Sequence, residues 1–126
     1  MEFNINIGEK LAKEIIVTGD MSAKKIGSGV VDVFSTPSLI SLMENVSQTL
    51  LQKFLTEGYS SVGTNVNINH VKASKIGARV ICKSVISEID GRKITFNVEA
   101  YDEKGKIGMG THRRYIINIE EFISKL

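Results

Sequence analysis

From Leu39 onward, apolar residues fall at positions 39, 43, 46, 50 and 54, and those at 40, 42, 51 and 55 widen the stripe. That is helical spacing, and the stripe is too broad for a helix lying on a surface. It predicts a central helix with most of its circumference covered. Ser35-Thr36-Pro37 marks the start. A hydroxyl there can accept from an unpaired backbone N–H, and proline suits the first helical position. Gly58 is expected to mark the stop.

The chain beyond reads as sheet. In residues 62–71 the even positions Val62, Thr64, Val66, Ile68 and His70 predict an inward face. Gly63, Asn65, Asn67 and Asn69 fall on the solvated one. This is the period-two alternation of a strand. Residues 79–89 form a second β-rich run, and Asp90-Gly91 is a hairpin signal. Beyond it Ile94, Phe96, Val98 and Ala100 alternate with polar residues. Residues 102–106, DEKGK, predict a turn, and 107–119 the last long strand. An early strand over residues 11–18 and a short helix over 120–126 complete the order. One helix cannot cover both faces of such a sheet. The simplest packing is an α+β fold in which a curved antiparallel sheet wraps around one long central helix. The remaining sheet edge or face then calls for a homodimer.

Composition narrows the function. With 126 residues, 42% of them hydrophobic, the chain predicts a single domain over residues 1–126 with a core of its own. Sixteen Lys and Arg against fourteen Asp and Glu leave a net charge of +2. The basic residues are scattered, which argues against nucleic-acid binding. The lone cysteine, Cys82, excludes an internal disulfide or a CxxC site and is expected to be a small buried hydrophobe. No apolar run suits a signal peptide or a bilayer span, so no membrane partner is expected and cytoplasmic localisation is the default.

Glu44 stands out because helix spacing puts it on the side of Ile40, Leu51 and Leu55. Burial there would raise its pKa and make it a useful base or nucleophile; at the stripe's edge it would merely reach water or Gln48. His70 lies on the inward strand face, as a core histidine or a catalyst, and His112 competes with it. Neither sits in a cluster with metal-ligand spacing, so no metal is expected. Thr36 is either a plain cap or a functional hydroxyl. Eight residues separate it from Glu44, about 12 Å along one helix. The pair can share a reacting carbonyl only if two chains contribute.

The motifs VFSTP, LMEN, VGTNVNINH, GRKITFNVEAYD and IGMGTHRR, from about Val33 to Phe122, resemble the fluoroacetyl-CoA thioesterase type of hot-dog thioesterase. The resemblance implies the hot-dog fold and acyl-CoA thioester hydrolysis, with Thr36, Glu44 and His70 matching the family's catalytic residues. Glu44 would be nucleophile or general base, Thr36 would orient it, and His70 would polarise the thioester or shuttle a proton. Gly63 matches a backbone position near the substrate carbonyl and Arg114 an arginine near the site. No cofactor is implied, because coenzyme A is part of the substrate. Where the fluoroacetyl-specific type has aromatic lid residues, the stretch GSGVVDVF has Gly27 and Val30. The expectation is therefore a short or branched acyl-CoA as substrate, with active sites at a homodimer interface. A non-catalytic acyl-CoA-binding sensor is the alternative. A hydratase lacks its Asp-x-x-x-x-His pair here.

Overall fold

The computed structural model describes residues 3–126. Its long helix α2, Thr36–Gln52, buries Leu39, Leu42, Met43, Val46, Leu50 and Leu51. It touches all five strands: β1 (Lys10–Ile16), β2 (Tyr59–His70), β3 (Arg79–Asp90), β4 (Lys93–Asp102) and β5 (Gly105–Asn118). These form one antiparallel sheet in the order β1-β3-β4-β5-β2. A short helix α1, Ala23–Ile26, precedes α2, and α3, Ile119–Ser124, follows β5. The expected sheet around one central helix is what the chain forms.

Alternation explains the layering. On β4, Ile94, Phe96, Val98 and Ala100 are buried against the helix while Lys93 and Asn97 face out. Cys82 occupies the same inner layer on β3, and burial pushes its thiol pKa up to about 12. It behaves as a small core residue. Ser47 of α2 is also buried, donating to the Met43 carbonyl and sharing a hydrogen bond with Ser84 of β3 at 2.8 Å. Those bonds satisfy hydroxyls that would otherwise be costly in the core.

Three local expectations need correction. Helix α2 ends at Gln52, not Gly58. Phe54 and Leu55 continue the apolar stripe because the turn after the helix packs them on the core. At the β3–β4 hairpin Asp90 pairs with Lys93, so the loop residues are Gly91 and Arg92. Gly91, with φ 60°, takes the first loop position, where a tight hairpin favours glycine. The third correction concerns β2. Its register against β5 shifts between Gly63 and Asn65, leaving Thr64 as the extra residue of a bulge. A bulge reverses which residues face in. Ser61 and Gly63 therefore stand opposite Ile116 and Arg114 on the inner face. Val62 lies outside, opposite Tyr115, and Thr64 is exposed. Beyond the bulge Val66, Ile68 and His70 face inward as expected, opposite His112, Gly110 and Gly108.

Gly108 fixes how closely the start of α2 approaches the sheet. A Cβ there would lie 2.8 Å from Leu39 Cδ2 and 3.2 Å from the Asn69 carbonyl oxygen. Leu39 is fully buried and has nowhere to swing. Gly108→Ala should destabilise the protein by about 1–3 kcal/mol through overpacking, read as a lower denaturant midpoint. Gly19→Ala, where a Cβ meets nothing within 4 Å, is the control expected to shift little. Equal midpoints for the two variants would refute this packing.

Candidate active site

The local chemistry at the start of α2 separates two hydroxyls. Ser35 is the N-cap, its Oγ accepting from the Ser38 N–H at 3.1 Å. Thr36 is therefore free of capping duty, and Pro37 takes the second helical position. The Thr36 hydroxyl shares a hydrogen bond of 2.8 Å with His70 Nδ1, at the far end of β2. His70 Nε2 is buried and has no hydrogen-bond partner. Burial pushes the His70 pKa below its ordinary value, with the Lys72 backbone opposing more weakly. Both side chains line a cleft of about 330 Å³, together with Phe34, Val71 and Lys72.

Glu44 is elsewhere. Its Oε2 lies 3.9 Å from Arg114 Nη1 and would be 2.9 Å from a Cβ on Gly63. Only a glycine leaves the β2 backbone bare beside the carboxylate. Of the two placements open to it, Glu44 takes the edge of the apolar stripe in the single chain, where its side chain is 41% exposed.

Beneath it lies a buried polar group that the sequence reading did not assemble. Arg114 is 7% exposed. Its Nε donates to Ser61 Oγ at 2.7 Å and its Nη2 to the Ser61 carbonyl at 3.0 Å. Arg114 Nη1 lies 3.1 Å from His112 Nε2, and His112 Nδ1 lies 2.8 Å from the Asn65 carbonyl oxygen. The ring of His112 also stacks on Phe96, centroids 6.1 Å apart. Burial is the main cause that lowers the His112 and Arg114 pKa values. For His112 the Asn65 bond raises it, Arg114 lowers it further, and Glu44 opposes. For Arg114 the charge of Glu44 opposes the shift.

One chain thus carries two separate polar groups. Thr36 pairs with His70; Glu44, Gly63, His112 and Arg114 gather at the other end of β2. Thr36 and Glu44 lie about 12 Å apart along the helix. Gly63 and His70 lie about 20 Å apart along the strand. His112 is the histidine beside Glu44, and His70 is not. Ser61 gave no sequence signal, because only the bulge turns it inward. Among the described residues no group of three or more His, Cys, Asp or Glu could hold a metal ion. No described helix is long and apolar enough to cross a membrane.

Residues 17–120 match the family described as fluoroacetyl-CoA-specific thioesterase. The chain belongs to that family. Membership brings the family's reaction, hydrolysis of an acyl-CoA thioester, and the sheet around the central helix is the hot-dog fold. The fluoroacetyl-CoA thioesterase of Streptantibioticus cattleyicolor is 26% identical over 132 residues, covering 100% of this chain and 95% of that protein. A solved structure of the fluoroacetyl-CoA thioesterase FlK superposes with a TM-score of 0.92 at 26% identity, over 97% of this chain and 95% of that one. A thioesterase superfamily member from Thermus thermophilus superposes with a TM-score of 0.90 at 27% identity, over 99% of this chain and 92% of that one.

The two histidines give this thioesterase a pH dependence. Both have pKa values lowered in the folded state, so the unfolded chain binds protons first as pH falls. Their contribution to stability is full above the unfolded value of about 6.5 and is lost as pH falls from there through the folded values. Chemical denaturation at a series of pH values should show stability decreasing as pH falls below about 6.5. A flat profile would mean that the folded rings take protons freely.

Proposed function

We propose that this thioesterase hydrolyses a short or branched acyl-CoA, with Glu44 as nucleophile or general base, in sites shared by two copies of the chain. The observation that carries this is the separation of two half-sites at opposite ends of β2, with Thr36–His70 at one and Glu44–Gly63 at the other. Strand β2 is an edge of the sheet. Val66 on its inner face is 44% exposed, so the chain's own helix leaves it uncovered. Val66 and Asn67 lie midway between Gly63 and His70. An antiparallel β2–β2 pairing centred there would set each chain's Gly63 against its partner's His70. It would also cover an open edge.

In that site the thioester carbonyl lies between Glu44 and His70. A Glu44 oxygen attacks the carbonyl carbon, or takes a proton from the water that does. The oxyanion forms beside the bare Gly63 backbone, whose N–H helps to hold it. His70 Nε2, orphaned in the single chain, polarises the thioester or carries a proton to the leaving thiolate. The C–S bond breaks, and water completes the carboxylic acid, directly or by opening the Glu44 anhydride. Coenzyme A leaves as product; the step needs no metal or bound cofactor. Lys72, which lines the Thr36–His70 cleft, suits its phosphates. Related fluoroacetyl-CoA thioesterase variants have been solved with fluoroacetate and CoA, and with acetyl-CoA, which supports a short acyl group.

Thiol release from acetyl-, fluoroacetyl-, propionyl-, butyryl- and isobutyryl-CoA tests the reading. Turnover is expected on several of them, without a large fluoroacetyl preference. Glu44→Gln should lower it by roughly a hundredfold or more in a folded protein. Near-normal turnover in that variant would remove Glu44 from the chemistry. Tight acyl-CoA binding with no turnover by the wild type would make this a sensor.

Sharing is tested by mixing. Inactive Thr36→Ala and Glu44→Ala proteins, allowed to exchange subunits, should regain part of the activity, because each mixed dimer holds one intact site. No recovery after demonstrated exchange would place both residues in one chain's site.

A further inference from the structure

We propose that His112 and Ser61 are positioning residues that hold the Arg114 guanidinium against Glu44, with His112 kept neutral and protonated on Nδ1. This rests on the proposed catalytic role of Glu44 but concerns different residues. The hydrogen-bond chemistry leaves one arrangement. A guanidinium can only donate, so His112 Nε2, 3.1 Å from Arg114 Nη1, must accept. A backbone carbonyl can only accept, so His112 Nδ1, 2.8 Å from the Asn65 oxygen, must carry the proton. Both ends of the ring require the same tautomer. A second proton on the ring would set donor against donor and place two buried cations side by side.

Ser61 completes the clamp. It accepts from Nε through its hydroxyl and from Nη2 through its carbonyl, so all three guanidinium nitrogens are tied. A buried cation held this way has little freedom, and the carboxylate 3.9 Å away meets it in a fixed direction. The groups facing His112 come from four elements: Arg114 on β5, Glu44 on α2, the Asn65 carbonyl on β2 and the Phe96 ring on β4. Glu44 is the single anion among them. Its charge balances Arg114, and the neutral ring adds none. The bulge at Thr64 makes the clamp, because it turns Ser61 and Gly63 inward while offering the Asn65 carbonyl to the ring.

The test combines nitrogen NMR of the full chain with kinetics of Ser61→Ala, His112→Phe and His112→Gln. In the wild type at neutral pH, the His112 ring should show the proton on Nδ1 and the Arg114 Nε–H should exchange slowly. Ser61→Ala and His112→Phe should speed that exchange and lower kcat by roughly ten- to a hundredfold, with KM nearly unchanged. His112→Gln, which keeps one donor and one acceptor, should recover most of the loss. A proton on Nε2 in the wild type would overturn the proposal, as would unchanged kcat in folded Ser61→Ala and His112→Phe. Should His112→Phe fail to fold, Ser61→Ala and the wild-type resonances decide alone. Failure of the Glu44 reading shows separately, as intact turnover in Glu44→Gln, and leaves the resonances to decide the clamp.

Discussion

A straight helix sets residues eight positions apart about 12 Å from each other, whatever packs around it. Thr36 and Glu44 are both on α2, and that distance organises the proposed site. The sheet wrapped around the helix can supply each of them with a neighbour but cannot bring them together. Thr36 gets His70 from one end of β2, and Glu44 gets Gly63 from the other. The strand's own rise keeps those neighbours apart as well. A two-fold relation between chains is the simplest way to join ends that one chain holds apart. The proposed dimer therefore follows from helix geometry as much as from the open sheet edge.

The two ends meet different physical demands. At the Thr36 end the helix must come close to the sheet, and Gly108 permits this by having no side chain where Leu39 packs. At the Glu44 end a cation is buried, and an unpaired buried cation is costly. The fold answers with three acceptors on the guanidinium and one carboxylate nearby. The Ser47–Ser84 pair shows the same logic without charge. Among the described residues, His70 Nε2 is the buried side-chain atom for which no such partner waits.

What the sequence made legible follows from how local each feature is. The start of α2 could be read because a cap is built from adjacent residues, although the capping hydroxyl is Ser35 and the functional candidate is Thr36. The stop was misplaced because Phe54 and Leu55 keep the apolar rhythm after the backbone has left the helix. Strand alternation gave the inner face of β4 throughout, and of β2 beyond Asn65. It failed before the bulge, since an extra residue leaves no period of its own in the sequence. The clamp on Arg114 was invisible for the same reason. It joins Ser61 to residues about fifty positions away on β5, through a reversal that no local pattern encodes. Thr36, Glu44 and His70 emerged together as a site only through family resemblance, because in one chain they do not form a single cluster.

Exclusion of water is the remaining demand. Charges act more strongly on a thioester carbonyl when the site is dry. In the single chain Thr36 and Gly63 are exposed and Glu44 is partly so. An aromatic lid is one solution, but the segment before Thr36 is poorly built for it. Gly27 has φ 91°, a backbone conformation that residues with side chains rarely adopt, and Val30 is 88% exposed. In the proposed dimer the partner's strand edge does the drying. It covers the inward Val66, closes over the carboxylate and brings Thr36 and His70 against it. The contact that completes the catalytic group is then the contact that removes water from it. On that proposal a free chain has neither, so stray hydrolysis by unpaired subunits is disfavoured by the same geometry that would make the pair active.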